Sequence, residues 1–171
     1  ISDITFAEIT GRKQVQKAVC ILNKDGSDIG FGNCRLRNIS PQLGVRETRR
    51  IEGEYILREQ DVINNTEFED SIGRFVSFMD TYGKILSAEN KEFSIPYRIL
   101  LPKNIDNILV AGRCVSCDHI SFGALRLMPC CSVTGQAAGT AAALSTILNV
   151  TPKNLDIGLL QNKLIESGVR I

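Results

Sequence analysis

The chain has 171 residues, 43% hydrophobic and 23% charged, so it is long and apolar enough to fold as a globular domain with a core. Its 20 Lys and Arg residues nearly balance its 19 Asp and Glu residues, which gives a formal net charge of +1. This balance, without long runs of like charge, argues against a nucleic-acid-binding protein and against a protein of the membrane surface.

The amino terminus and the cysteines bear on the cellular compartment. Asp3 comes early and no basic segment precedes an apolar one, so the start of the chain does not resemble a secretory signal. Six cysteines are too few for a disulfide scaffold, and Cys130 and Cys131 are adjacent, which makes a bond between them difficult. We therefore expect reduced thiols and a cytoplasmic protein.

The amino-terminal region predicts a helix followed by a loop. Residues 5–23 carry apolar side chains largely at helical spacing, and Thr5-x-x-Glu8 has the form of a capping box. Residues 25–33 contain three glycines, which is typical of a loop. We expect an amphipathic helix over residues 5–23.

Several strands are predicted in the middle of the chain. Residues 50–57 alternate in part and predict a strand, with Gly53 at a bulge or at a close approach of another segment. Residues 71–79 and 93–101 also predict extended segments. Residues 107–112 are a short apolar run ending in glycine, which is typical of a strand buried on both faces.

Two helices are predicted after a loop over residues 113–128. Pro129 suits the first turn of a helix that runs to about Leu148. A last helix is expected over about residues 155–167, with Gly168 at its end. The fold class is therefore α+β, with antiparallel or mixed strands.

The segment from Val133 to Val150 has no charged residue. Gly135 and Gly139 have the spacing found in packed membrane helices, but the segment is only weakly hydrophobic and contains Gln136. We therefore expect a long Ala/Gly-rich helix buried in a soluble protein and closely packed through its small residues, and no membrane contact.

The most informative motifs lie in the last third of the chain. They are Asn107-Ile-Leu-Val-Ala-Gly-Arg-Cys114, Gly123-Ala-Leu-Arg-Leu-Met-Pro129 and Gly135-Gln-Ala-Ala-Gly-Thr-Ala-Ala-Ala143. In this order they resemble the carboxy-terminal flavin-binding signature of the FAD-dependent oxidoreductase family, within the wider glutathione-reductase-like flavoproteins. Residues 41–55 and Ile95-Pro-Tyr-Arg98 resemble the same family, so the resemblance covers nearly the whole chain.

The resemblance implies an oxidoreductase that uses FAD and a small-molecule substrate. It assigns residues 1–107 mainly to a substrate-side domain, residues 108–150 to completion of the FAD-binding domain, and residues 151–171 to a carboxy-terminal helix. The chain has no Gly-x-Gly-x-x-Gly motif, which in such flavoproteins binds the ADP half of FAD. We therefore expect a carboxy-terminal fragment whose partner is a missing amino-terminal dinucleotide-binding segment. Alone, the chain should be inactive and without FAD.

Candidate cofactor contacts lie around the start of the helix at Pro129. Gly112 lets the backbone approach a ligand closely, and a helix start presents unpaired N–H groups and a positive dipole end. By resemblance, the groups that face the anionic pyrimidine edge of a reduced flavin are the N–H groups of Cys130, Cys131 and Ser132. Arg113 stands where many related flavoproteins have an acidic residue, and it can contact a phosphate. The alternative is an ordinary buried helix whose small residues serve packing.

The candidate catalytic residues are His119, the only histidine, and Arg126. By resemblance to more distant fumarate-reductase-like flavoproteins, they lie over the flavin and hold an anionic substrate, which suits an imidazole and a forked guanidinium. In the structural alternative, Arg126 pairs with a carboxylate such as that of Asp118 and His119 occupies a polar loop.

Two further clusters stand out. The guanidiniums of residues 46, 49 and 50 need anions, which Glu47, Glu52 and Glu54 can supply as a salt-bridge network, while Arg46 or Arg49 is a candidate for substrate binding. Cys114-Val-Ser-Cys117 with His119 leaves open a second hypothesis, a non-catalytic or zinc-binding module.

Overall fold

The computed structural model describes residues 2–81 and 84–171, with side chains described outside residues 82–90. The chain divides into two compact units, residues 1–46 and residues 47–171. The predicted α+β class is confirmed, because helices are combined with a two-stranded antiparallel sheet.

The first unit contains a long helix, α1 (Ser2–Asp25), which confirms the helix predicted over residues 5–23. The helix begins at Ser2, so Thr5 lies inside it and the predicted capping box is wrong. Gly26 ends the helix, and a Cβ on that residue would lie 2.7 Å from the carbonyl oxygen of Leu22. No residue of α1 is buried.

The second unit contains the sheet, formed by β1 (Ser71–Thr81) and β2 (Lys84–Pro96). The predicted strand over residues 71–79 is confirmed, and the one over residues 93–101 is confirmed only to Pro96. Beyond it, Tyr97–Leu100 form a 3-10 turn, which begins where the N–H of Tyr97 makes a last bond in register with the sheet, to the carbonyl of Asp70 at 2.8 Å.

Residues 50–57 are not a strand, so that prediction is wrong. They form only two isolated bridges, Gly53 with Pro102 and Leu57 with Cys117. The predicted close approach at Gly53 is confirmed, because a Cβ there would lie 2.7 Å from the Cβ of Ser116. The N–H of Gly53 donates to the Ser116 hydroxyl at 3.0 Å, so this segment is fixed by contacts with a loop and not by a sheet.

Four helices accompany the sheet: α2 (Glu59–Ile63), α3 (His119–Leu125), α4 (Met128–Leu148) and α5 (Ile157–Glu166). Apolar side chains from the strands, the 3-10 turn and all four of these helices form one core. Its largest fully buried members include Ile72, Phe93, Ile95, Tyr97, Phe122, Leu125, Leu160 and Leu164.

Helix α3 corrects the prediction of a continuous loop over residues 113–128. Asp118 caps the helix by accepting the N–H of Ser121 at 2.8 Å, and it also accepts the N–H of Glu59 at 2.8 Å. One carboxylate therefore joins the starts of α2 and α3. The helix is too short to show a clear apolar period, which is why the sequence pattern did not indicate it.

The strand predicted over residues 107–112 is wrong, because Asn107 and Gly112 both have positive φ and Gly112 begins a 3-10 turn. Ile108 is 49% exposed, and no residue of this segment pairs with a strand in the part of the chain that the structure describes. The N–H of Val110 donates to the carbonyl of Leu100 at 2.9 Å. A strand that is buried on both faces needs neighbouring strands and covering layers, and the described residues provide neither.

Both carboxy-terminal helices lie where the sequence predicts them. Helix α4 has Pro129 in its first turn and ends before Asn149, which adopts a left-handed conformation. Helix α5 is capped by Asp156 and is followed by Gly168 with φ +86°. Among the described residues, no helix combines the length and the apolar character that a membrane span requires.

Helix α4 is buried along one stripe only, formed by Cys130, Thr134, Ala137, Ala141 and Ser145. Gly135 and Gly139 lie on the exposed side, and a Cβ on either would have no atom within 4 Å. The prediction that these glycines provide close packing is therefore wrong within this chain, because their face of the helix touches none of its described residues.

Candidate functional site

The two predicted catalytic residues lie at opposite ends of α3. His119 is the first residue of the helix and Arg126 is its C-cap. Seven residues along an α-helix span about 10 Å, so the structure does not bring the two side chains together. Each of them instead contacts a carboxylate at its own end of the helix.

At the start of α3, the imidazole of His119 contacts Glu47. Its Nδ1 lies 3.1 Å from the Glu47 carboxylate, which also forms an ion pair with Arg50. The Arg50 guanidinium carbon lies 5.1 Å from the centre of the buried Phe122 ring. The side chains of Glu47 and Arg50 are 20% and 22% exposed, whereas that of His119 is 55% exposed.

These contacts set the charge of the Glu47 carboxyl. Burial raises its pKa, but the hydrogen bonds and charges of Arg50 and His119 outweigh burial, so the pKa lies below its usual value. The carboxylate is therefore ionised at neutral pH. The stability that this ion pair contributes is present above the ordinary pKa of the group and is lost as pH falls through the lowered value.

At the end of α3, Arg126 contacts Asp80 in β1. Its Nη2 donates to the Asp80 carboxylate at 2.6 Å and to the Asp80 carbonyl at 2.8 Å. The Arg126 side chain is only 14% exposed. The structural alternative, in which Arg126 pairs with a carboxylate, is therefore confirmed. Its suggested partner, Asp118, is wrong, because the Asp118 carboxylate caps α3 and accepts the N–H of Glu59.

Gly112 lies against the first turns of α4. It has φ +70°, and its N–H donates to the Thr134 hydroxyl at 3.0 Å. A Cβ on Gly112 would lie 3.9 Å from the Cys131 sulfur. Burial raises the pKa of Cys131 and the charge of Arg113 opposes that effect, so Arg113 also acts near this end of α4.

The N–H donors at the start of α4 differ from those predicted. The N–H of Cys131 donates to the carbonyl of Leu127 at 2.9 Å, and that of Ser132 lies one position deeper in the helix. Helix geometry leaves the N–H groups of Met128 and Cys130 without a partner inside the helix, since Pro129 has none. Of the three predicted donors, only Cys130 is at a suitable position.

The predicted salt-bridge network of the arginine cluster forms in part. Arg50 pairs with Glu47, but Glu52 pairs with Lys103 and Glu54 pairs with Lys153. Both candidates for substrate contact are exposed: Arg46, in the first unit, and Arg49, in the second. Among the side chains that the structure describes, in residues 2–81 and 91–171, Arg49 has no ion-pair partner.

The cysteine cluster gives the zinc hypothesis no support. Cys114 is exposed, Cys117 is buried, and burial raises the pKa of Cys117 to about 12. A zinc ligand must be a thiolate, so this shift opposes metal binding. Among the side chains that the structure describes, no group of three His, Cys, Asp or Glu residues is arranged to hold a metal ion.

Sequence reasoning did not identify the partners of the two catalytic candidates at the site. At one end of α3, Glu47 contacts His119, and Arg50, the ion-pair partner of Glu47, lies over Phe122. At the other end, Asp80 contacts Arg126. The sequence offers one signal for the first of these contacts: Glu47 and Arg50 are three residues apart, a spacing at which two side chains can form a local ion pair. Nothing local indicates Asp80.

A cavity of about 680 Å³ lies beside the second half of α4. It is lined by Asn107, Leu109, Ala138, Ala142, Ser145, Thr146 and residues 149–152. The buried Ser145 hydroxyl has no hydrogen-bond partner among the described residues. No predicted site residue lines this cavity, so it is separate from both ends of α3.

The comparisons with known proteins give one match. No curated protein and no solved structure matches the chain. A family model described as FAD dependent oxidoreductase matches residues 1–164, which is nearly the whole chain. The family predicted from the motifs in residues 107–143 is confirmed, and the chain belongs to the FAD dependent oxidoreductase family.

Proposed function

We propose that this chain is the carboxy-terminal part of an FAD-dependent oxidoreductase and that it supplies the flavin-ring side of the cofactor site and part of the substrate site. The observation that carries the proposal is the position of Gly112 against the first turns of α4, in a chain of this family. A glycine next to a helix start allows a ligand to approach both backbone segments.

The start of α4 fits an anionic edge of a cofactor. A 21-residue helix places a positive dipole end and the N–H groups of Met128 and Cys130 at its start. Bound FAD would accept electrons from the substrate. In this proposal the two N–H groups bind the flavin ring, Gly112 leaves room for it, and the exposed Arg113 contacts a phosphate.

His119, Arg126 and Arg49 form the proposed substrate side. The imidazole of His119 is half-exposed, and Arg49 is exposed without an ion-pair partner in the described parts of the chain. Arg126 uses Nη2 for Asp80, and its guanidinium has further N–H donors on Nη1 and Nε. The two guanidiniums favour a small anionic substrate. Arg46 stays a second candidate for substrate contact.

The proposed partner is an amino-terminal dinucleotide-binding segment. Residues 108–111 offer an edge with an extended Ala111 and a half-exposed Ile108. A strand of the partner can pair with this edge. The exposed small residues of α4, with Gly135 and Gly139, provide a face on which the partner can pack. Residues 108–150 would then complete the FAD-binding domain, with residues 1–107 mainly on the substrate side and residues 151–171 as a terminal helix.

The proposal is tested by fusing the chain to the dinucleotide-binding segment of another member of the family. The segment alone should bind ADP and FAD with similar affinity, because it contacts only their common half. The fusion should bind FAD at least about 100-fold more tightly than ADP, which corresponds to about 2.7 kcal/mol supplied by this chain. The isolated chain should retain no FAD through gel filtration and show no activity. Separately, we propose that the protein is located in the reducing cytoplasm.

A matched pair of variants makes this test specific. Gly112→Val should abolish the preference of the fusion for FAD, because a side chain there is strained at positive φ and occupies the approach to α4. Gly44→Ala, at a position with open space, should leave the preference unchanged. A folded fusion that binds ADP but gains nothing for FAD would contradict the proposal.

A further inference from the structure

We infer that Glu47 is a positioning residue for His119, and that it fixes the neutral imidazole in the form that carries its proton on Nδ1 and its lone pair on Nε2. The inference deepens the proposed function, since it states which nitrogen can exchange a proton with a substrate. The hydrogen bond between Nδ1 and the Glu47 carboxylate, at 3.1 Å, is its starting point.

Glu47 is itself held firmly. Its carboxylate pairs with Arg50, and both side chains are about four-fifths buried, so water screens the pair less than it screens a surface ion pair. The guanidinium of Arg50 lies over the ring of Phe122, which is 1% exposed and belongs to the core. A continuous series of contacts therefore connects the core to the imidazole through Phe122, Arg50 and Glu47.

The chemistry of the two side chains determines the tautomer. A carboxylate is only an acceptor, so the imidazole nitrogen that faces it must carry a hydrogen. A neutral imidazole has one N–H, which places the lone pair on Nε2, whereas without such a hydrogen bond either tautomer can form. The contact with Glu47 thus leaves the lone pair of the neutral ring on Nε2, the nitrogen that can accept a proton.

The neighbouring carboxylate does not have this role. Asp118 precedes His119 in the chain, but its oxygens accept hydrogen bonds from Ser121 and from the N–H of Glu59. Arg50 contacts Glu47 from the side of Phe122 and is only a donor, so it cannot accept the hydrogen of Nδ1. Glu47 is therefore the carboxylate that the geometry assigns to Nδ1.

The tautomer can be measured in this chain without FAD or substrate. His119 is the only histidine, so ¹⁵N-labelled protein gives one imidazole spin system, whose two nitrogen shifts identify the protonated nitrogen in the neutral form. We expect Nδ1–H in the wild-type chain, and a mixture of the two tautomers in Glu47→Ala. Glu52→Ala, which removes an exposed ion pair with Lys103, should leave the wild-type spectrum of the imidazole unchanged.

The wild-type spectrum decides the inference even where a variant does not fold. A wild-type imidazole with its proton on Nε2 would overturn it, as would an unchanged Nδ1–H tautomer in a folded Glu47→Ala chain. Either result leaves the FAD affinity of the fusion untouched. Conversely, a fusion that gains no FAD affinity leaves the tautomer assignment intact, so the two failures are distinguishable.

Discussion

Cys117 and Cys130 are the two buried cysteines of the chain. Burial raises the pKa of Cys117 to about 12 and also raises that of Cys130, so both thiols are protonated at pH 8. Since the thiolate is the nucleophile, iodoacetamide should modify the exposed Cys20 and Cys114 well before these two. Peptide mapping by mass spectrometry after timed exposure measures the order, and unfolding in urea should make all of them reactive.

The outcome also bears on the zinc hypothesis. Rapid alkylation of Cys117 in the folded chain would show that its thiol is accessible and partly ionised, against the raised pKa. Zinc binding by Cys114 and Cys117 would then regain support. Slow alkylation of Cys117 beside fast alkylation of Cys114 is the result that the structure predicts.

At the scale of single residues, the sequence identified candidates better than their partners. His119 and Arg126 were singled out by resemblance, but Glu47 lies 72 residues before the first and Asp80 lies 46 residues before the second. Pairing across such distances depends on how the elements pack. A local pattern contains no information on that, which is why Asp118, the nearest carboxylate, was the wrong partner for Arg126.

The contact between α3 and β1 depends on a glycine. A Cβ on Gly123 would lie 3.0 Å from the carbonyl oxygen of Asp80 and 3.2 Å from a methyl group of Thr81. Ala is the better helix former by about 1 kcal/mol, but overpacking against backbone costs about 1–3 kcal/mol. We therefore expect Gly123→Ala to lower the free energy of unfolding, measured by urea denaturation.

Gly139→Ala is the matched control for this prediction. It also lies within a helix, but a Cβ there would have no atom within 4 Å, so only the gain in helix propensity applies. The isolated chain should become more stable by up to about 1 kcal/mol. If both variants were stabilised, the close packing of α3 on β1 would be contradicted.

At the scale of elements, the sequence predicted those with strong local signals. Helices α1, α4 and α5 have long periodic segments or clear ends, and β1 has an apolar pattern bounded by a turn. The short helix α3 was missed because a helix of about two turns shows no clear period. Residues 107–112 have the composition of a buried strand, but a composition cannot supply the neighbours with which a strand pairs.

At the scale of the whole molecule, the order of several motifs was more informative than any one element. Gly112, the residues around Pro129 and the small residues of α4 identified the family, which the match over residues 1–164 confirms. The boundary between the two compact units, at residues 46 and 47, was not predicted. Sequence spacing gives no measure of how contacts are distributed along the chain.

The two units should differ in stability. Helix α1 (Ser2–Asp25) has no buried residue, and Ile4 and Phe6 are 60% and 71% exposed, whereas β1 is anchored by the fully buried Ile72. A helix without tertiary burial is marginal in water, so its amides open at little free-energy cost. Hydrogen exchange measured by mass spectrometry should therefore be fast throughout α1 and slow in β1 and α5. The same measurement on the fusion with a dinucleotide-binding segment provides a comparison. If the amides of α1 exchange more slowly in the fusion than in the isolated chain, α1 forms part of the surface that contacts the partner. Equal protection of α1 and β1 in the isolated chain would contradict the prediction.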